Sequence, residues 1–225
     1  MSLLDALRGG LIVSVQAWRG SAIDDPQIIA AMSRCAQEGG AVAVRIEGEA
    51  NLRAVRGRLA LPMIGLIKRE YPGFDPYITP SLAEAAAVIG SGAEIVAFDA
   101  TARARPDGSG LTDVVAAVHA AGRLAMADCS TAGEATAACE AGADVVATTL
   151  CGYTQETAER SLPALDLVRE IAPLGCFTVC EGGVRTPAEL RAALDAGADA
   201  VVVGSAITNV DWLVREFAGA ADGGS

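Results

Sequence analysis

Nine polar side chains stand where short apolar runs end: Gln16, Arg45, Lys68, Asp99, Asp128, Thr148, Thr149, Glu181 and Ser205. Lys68 closes the run Pro-Met-Ile-Gly-Leu-Ile, which strips water from one side of its amine, and Arg45 on the preceding run adds a like charge. Both effects lower an amine's pKa and make it a usable general base. Glu181 closes Cys-Phe-Thr-Val-Cys and leads into Gly182-Gly183, and the next apolar run leads into Gly204-Ser205. Glycine turns let a phosphate approach backbone amides, and the turns after the last two strands of a parallel barrel commonly hold one. The chemistry these residues suit is proton transfer on a phosphorylated small molecule, with Lys68 as the base and Glu181 beside the reacting end. The competing reading is purely structural: strand-end polar groups capping a rim, Lys68 ion-paired with Glu181, and Asp99 and Thr149 anchoring loop backbone.

His119 is the only histidine and lies in Val-Val-Ala-Ala-Val-His-Ala-Ala, a helical stretch away from the strand ends. It reads as a packing or surface residue, so no Ser-His-Asp or Cys-His pair and no zinc cluster is available. No tight acidic spacing demands a metal and no dinucleotide glycine fingerprint is present, so neither a metal nor a cofactor is expected.

A repeated phrase shows what positions these groups. Gly40, Gly92, Gly142 and Gly197 each precede a small or acidic residue and then an apolar run, at spacings of 52, 50 and 55 residues. Each phrase ends a helix and opens a buried strand. Two strand–helix units fill about 50 residues, so four copies predict eight strands. The strands expected are 11–15, 41–46, 62–67, 94–98, 123–127, 144–148, 176–180 and 200–203, with helices between them, among them 26–37, 81–89, 111–121, 158–171 and 187–195. Thr186-Pro187 supplies an N-cap and first-turn proline for the last of these. Strict alternation implies a parallel sheet, and eight strands close it as a barrel with the nine polar residues on one rim. The tail from Ala220 is expected to fray.

The 225 residues suffice for one large core, read as a single domain over 1–225. Hydrophobic residues make up 52% and aromatics 4%, which suits strands buried on both faces. No apolar run approaches the roughly 18 residues of a spanning helix, and the N-terminus lacks a secretory pattern, so a soluble cytoplasmic protein is expected. The formal net charge of −11 disfavours nucleic acid and anionic membranes as partners. The six cysteines (35, 129, 139, 151, 176 and 180) form no Cys-x-x-Cys pair and are expected to be reduced, mostly core thiols. Cys129 and Cys151 follow strand ends and border the site, but no histidine is near to activate them.

Phrases from the first expected strand to the last resemble the N-acetylmannosamine-6-phosphate 2-epimerase family. They include Gly10-Leu-Ile-Val-Ser-Val-Gln16, Ala41-Val-Ala-Val-Arg-Ile-Glu-Gly48, Ile64-Gly-Leu-Ile-Lys-Arg69, Ile78-Thr-Pro80 and Ala97-Phe-Asp-Ala-Thr101. They continue with Arg103-Ala-Arg-Pro106, Met126-Ala-Asp-Cys-Ser-Thr131, Thr148-Thr-Leu-Cys-Gly-Tyr-Thr154, Glu181-Gly182 with Thr186-Pro187, and Val203-Gly-Ser-Ala-Ile-Thr208. The resemblance implies a metal-independent (β/α)8 TIM barrel of the ribulose-phosphate-binding type. It implies interconversion of N-acetylmannosamine 6-phosphate and N-acetylglucosamine 6-phosphate in amino-sugar and sialic acid use. By position it puts the catalytic lysine on Lys68 and its partner glutamate on Glu181. Gln16, Arg45 and Asp128 match residues holding the sugar and its N-acetyl group, and Thr148 is grouped with them as substrate-binding. Gly182, Gly183, Gly204 and Ser205 fall in the phosphate turns. Gly183 stands where the family often carries arginine or another polar residue and Asn209 where it usually carries arginine, with Arg185 as the candidate replacement cation. The expected partner is a phosphorylated N-acetyl amino sugar, and the chain itself is expected as a homodimer. Two other readings stay open at this level: a Schiff-base aldolase using Lys68 on the same barrel, and a phosphosugar-binding protein without catalysis.

Overall fold

In the computed structural model, which describes residues 2–221, the four phrase glycines have φ of 95°, 91°, 93° and 110°, each between a helix end and a strand. That left-handed conformation suits glycine and reverses the chain sharply. The strands are β1 (Leu11–Val15), β2 (Ala43–Glu47), β3 (Met63–Leu66), β4 (Ile95–Asp99), β5 (Leu124–Asp128), β6 (Val145–Ala147), β7 (Phe177–Glu181) and β8 (Ala200–Val203). They pair in parallel in sequence order and β8 returns to β1, closing the barrel. The helices are α1 (Leu3–Leu7), α2 (Pro26–Glu38), α3 (Glu49–Arg56), α4 (Leu82–Gly90), α5 (Leu111–Ala120), α6 (Ala132–Glu140), α7 (Leu165–Ile171), α8 (Pro187–Asp195), α9 (Ser205–Thr208) and α10 (Val210–Ala221). This is the (β/α)8 TIM barrel expected, with strand edges shifted by a residue or two.

Alternation along the strands builds two cores. Ile12, Ala43, Ile64, Ala97, Met126 and Phe177 belong to a cluster inside the barrel, with Leu7 of α1 among them. Their neighbours Val13, Val44, Val96 and Val146 point outward onto Ile29, Leu52, Val88 and Val115 of the helices. Because side chains alternate with a period of two, the inward series continues upward to fix the rim. Ile12 and Ser14 lead to Gln16, Ala43 to Arg45, Ile64 and Leu66 to Lys68, Met126 to Asp128, Val145 and Ala147 to Thr149, and Phe177 and Val179 to Glu181.

Thr186 caps α8 as expected, accepting from Glu189 N at 3.2 Å while the Glu189 carboxylate accepts from Thr186 N at 2.9 Å. The helix expected over 158–171 is shorter: α7 begins at Leu165, and turns occupy the residues before it. Pro163 explains the loss, since it has no N–H to donate and restricts Leu162 before it. The cysteine expectation needs one correction. Cys139 at the end of α6 and Cys176 before β7 are joined as a disulfide, with Cα atoms 6.1 Å apart, a separation within bridging range. Cys35 is exposed and Cys129, Cys151 and Cys180 are buried free thiols. Of the tail expected to fray, Ala220 and Ala221 close α10 and residues 222–225 lie outside the described residues. Helix α10 buries no residue, and Val210, Val214 and Phe217, on one face of it, are 48%, 61% and 76% exposed. No described helix is long and apolar enough to cross a membrane.

Candidate active site

Arg45 organises the mouth. It rises from β2 into the barrel, 1% exposed, and meets Asp128 of β5 through two hydrogen bonds of 2.6 and 3.2 Å. Its Nη1 also lies 3.2 Å from Glu181 of β7. Burial alone would lower the pKa of this guanidinium, but the Asp128 and Glu181 carboxylates outweigh it and hold Arg45 charged. Its Nε is a buried donor with no partner among the described residues. Buried orphan donors are rare and mark places where structure serves something other than stability.

Glu181 competes for an arginine already satisfied by Asp128. Burial raises its pKa to about 7, with Asp128 adding repulsion, while Arg45, Thr149 and Lys68 pull the other way. The 3.2 Å contact with Arg45 by itself suggests a carboxylate fixed in the ionised state. The bidentate pair with Asp128 has already compensated that guanidinium, so a group poised near neutrality is the better physical description. Thr149 Oγ1 lies 2.7 Å from Asp128 and 3.1 Å from Glu181, one hydroxyl shared between two carboxylates.

Lys68 extends β3 and stands in the open mouth. Its Nζ donates to Gln16 Oε1 at 2.6 Å, and Gln16 Nε2 donates to Ser14 Oγ at 2.7 Å. Burial among the rim side chains lowers the lysine's pKa, Arg45 lowers it further, and Glu47, Glu181 and Asp128 oppose both. Solvent reaches the Lys68 side chain, while the rim side chains crowd its amine. The ion pair with Glu181 considered from the sequence is not formed: Gln16 orients the amine, and Glu181 turns to Arg45 and Thr149.

Thr148 requires a second correction. Its hydroxyl donates to Glu181 O at 2.8 Å and accepts from Glu181 N at 3.0 Å, continuing the β6–β7 ladder with a side chain. It braces the strand that carries Glu181, while Thr149 is the threonine facing the carboxylates. Alternation counted upward from Val145 would have separated them. Asp99 is a loop anchor: it accepts from Thr101 N and Oγ1 at 3.0 and 2.6 Å and pairs with Arg103 at 2.7 Å. Cys129 and Cys151 are buried and burial raises both thiol pKa values, which removes a thiolate nucleophile. His119 sits 2.7 Å from Asp144 ahead of β6, far from the mouth. Among the described residues, no group of three or more His, Cys, Asp or Glu is placed to hold a metal.

The glycine turns follow β7 and β8 as expected, with Gly182 and Gly183 at φ 106° and 73° and Ser205 opening α9. A Cβ on Gly183 would lie 2.4 Å from Leu162 Cβ, so no side chain fits there. Asn209 accepts from Trp212 N at 2.9 Å and so caps α10. Arg185 lies over the Trp212 ring at 5.3 Å, which holds one cation between the segments after β7 and β8.

The family model NanE, described as "Putative N-acetylmannosamine-6-phosphate epimerase", matches residues 29–222. A Klebsiella pneumoniae protein described as "Putative N-acetylmannosamine-6-phosphate 2-epimerase" is 46% identical over 219 residues, covering 95% of this chain and 92% of its own. A Thermosynechococcus vestitus protein of the same description is 45% identical, covering 98% and 96%. The solved N-acetylmannosamine-6-phosphate 2-epimerase from Clostridium perfringens superposes with a TM-score of 0.95 at 38% identity, over 98% of this chain and 96% of that one.

Proposed function

The chain belongs to the N-acetylmannosamine-6-phosphate epimerase family, and from that premise we infer that it interconverts N-acetylmannosamine 6-phosphate and N-acetylglucosamine 6-phosphate by moving the proton on C2. The observation that supports the mechanism is the placement of two groups able to exchange a proton. Lys68 follows β3 and Glu181 ends β7, four strands apart in a closed ring of eight, so they face each other across the mouth.

The C2 hydrogen of the open-chain sugar is α to the C1 aldehyde and therefore acidic enough for a tuned base. Neutral Lys68 takes it, and the electron pair moves into an enolate whose oxygen develops negative charge. The Arg45 guanidinium on the mouth floor supplies positive potential there, and Gln16 keeps the amine aimed at C2. Protonated Glu181 returns a proton to the opposite face and C2 is inverted. In the reverse direction the Glu181 carboxylate is the base and the Lys68 ammonium the acid. Backbone amides at Gly182, Gly183 and Gly204 hold the phosphate with Ser205 and Arg185. Such a substrate does not cross a membrane unaided, which supports a cytoplasmic site of action. Incubation with N-acetylmannosamine 6-phosphate should yield its C2 epimer. Loss of substrate to a shorter sugar, with Lys68 trapped by borohydride as an imine adduct, would favour the aldolase reading instead.

Either direction requires one proton shared between Lys68 and Glu181. Below about pH 7 both groups are protonated and no base remains. Above the lowered lysine pKa both are deprotonated and no acid remains. The profile of kcat/KM is therefore expected to be bell-shaped with its acid limb near pH 7. Glu181→Gln should slow turnover about 10²-fold or more and remove that limb. A limb near pH 7 that survives in Glu181→Gln would mean that another group titrates there.

The exposed apolar face of α10 supports the expected homodimer, since a second copy would remove Val214 and Phe217 from water. Sedimentation velocity is expected to give twice the chain mass, and Phe217→Glu to shift it toward one. A wild-type monomer at micromolar concentration would rule this assembly out.

A further inference from the structure

The segment after Lys68 leaves the barrel and returns as a wedge between β3 and β4. Lys68 and Ile78 form an antiparallel bridge, Arg69 N donates to Tyr77 O at 2.9 Å, and Asp99 N donates to Ile78 O at 2.8 Å. Thr79 locks the wedge. It is the one non-glycine among the described residues with positive φ, at 44°, an uncomfortable conformation for a β-branched side chain. Its hydroxyl donates to Ala97 O at 2.6 Å and accepts from Ile67 N at 3.2 Å. Strain of this kind persists where the surroundings over-determine it, often beside a site.

The wedge carries Tyr77 to the mouth. Its ring packs, partly buried, against the cluster that fills the barrel interior, which puts it at the top of that stack on the side of Lys68. Among the described residues its hydroxyl has no hydrogen-bond partner, whereas the other phenol of the segment, Tyr71, donates to Glu84 Oε1 at 2.9 Å. Burial raises the pKa of Tyr77, and Asp128 and Asp99 raise it further against Arg45 and Arg103, so the phenol keeps its proton at neutral pH and lies in the field of the Arg45–Asp128 pair.

We propose that Tyr77 is a substrate-binding residue that reads the acylamino group on C2: its hydroxyl donates to the acyl carbonyl oxygen while its ring lies against the acyl chain. The proposal rests on the epimerase reading. If Lys68 takes the proton from C2, the acylamino group on C2 lies close to a side chain tied to Lys68 through the wedge. An amide carbonyl needs a donor, and Tyr77 is an unused one.

The test is a pair of constants for wild type and Tyr77→Phe. The KM for N-acetylmannosamine 6-phosphate should rise about fivefold, the worth of one neutral hydrogen bond, with kcat within about twofold. The inhibition constant of glucosamine 6-phosphate, which lacks the acyl group, should not change. Tyr77→Leu should raise the KM further by removing the ring. Equal weakening of both ligands would make Tyr77 a structural residue, and no change in KM would end the proposal. Wild type without any turnover would instead sink the epimerase reading on which it stands.

Discussion

Lys68→Ala is expected to lower epimerisation by about 10³-fold or more while leaving the barrel folded. The reason is local. The side chain makes one hydrogen bond, to Gln16, and its bridge to Ile78 is backbone and survives substitution. Little stability depends on an amine that burial and Arg45 both discourage from carrying charge. The chemistry depends on it entirely, since no other described group on the β3 side holds a titratable nitrogen against Gln16. The check is an initial-rate assay beside a urea titration. Near-normal turnover, or a collapsed titration, would remove Lys68 from the role given to it. Lys68→Arg should also be inactive, because a guanidinium stays protonated at every working pH.

Asp128→Ala should have the largest effect on stability. It leaves Arg45, 1% exposed, without its bidentate partner. Breaking a buried pair from one side costs about 3–5 kcal/mol. The lower end is expected here, since Glu181 already lies 3.2 Å from the guanidinium and can take over part of its charge. Urea unfolding at pH 7 measures the loss, and replacing both partners by apolar residues of similar volume should recover much of it. A loss under about 1 kcal/mol would mean that water reaches Arg45 and that the floor of the mouth is wetter than its burial indicates.

The barrel was legible because its period is written in local chemistry: four glycines that end helices, each followed by a β-branched run. Lys68 and Glu181 were legible for the same reason, as charges ending apolar strands. What lay beyond reach depends on which side chain meets which across the mouth. Gln16, not Glu181, holds the Lys68 amine, while Glu181 lies against Arg45 and Thr149. Thr148 and Thr149 were indistinguishable by type. Both faces of these strands are apolar, so alternation leaves no trace in hydrophobicity and must be counted from a known inward residue. The departure at Gly183 likewise has its cause far off in sequence, in Leu162, and the segment that carries Tyr77 is followed by Thr79 at a positive φ, which residue type alone does not announce.

The fate of the C2 hydrogen tests the two-carrier account most directly. Wild-type enzyme in D₂O, given N-acetylmannosamine 6-phosphate and followed by proton NMR, should form N-acetylglucosamine 6-phosphate with deuterium at C2 from the earliest turnovers. Epimer that retains its C2 protium would contradict the account, since a single group would then have carried the same hydrogen from one face to the other.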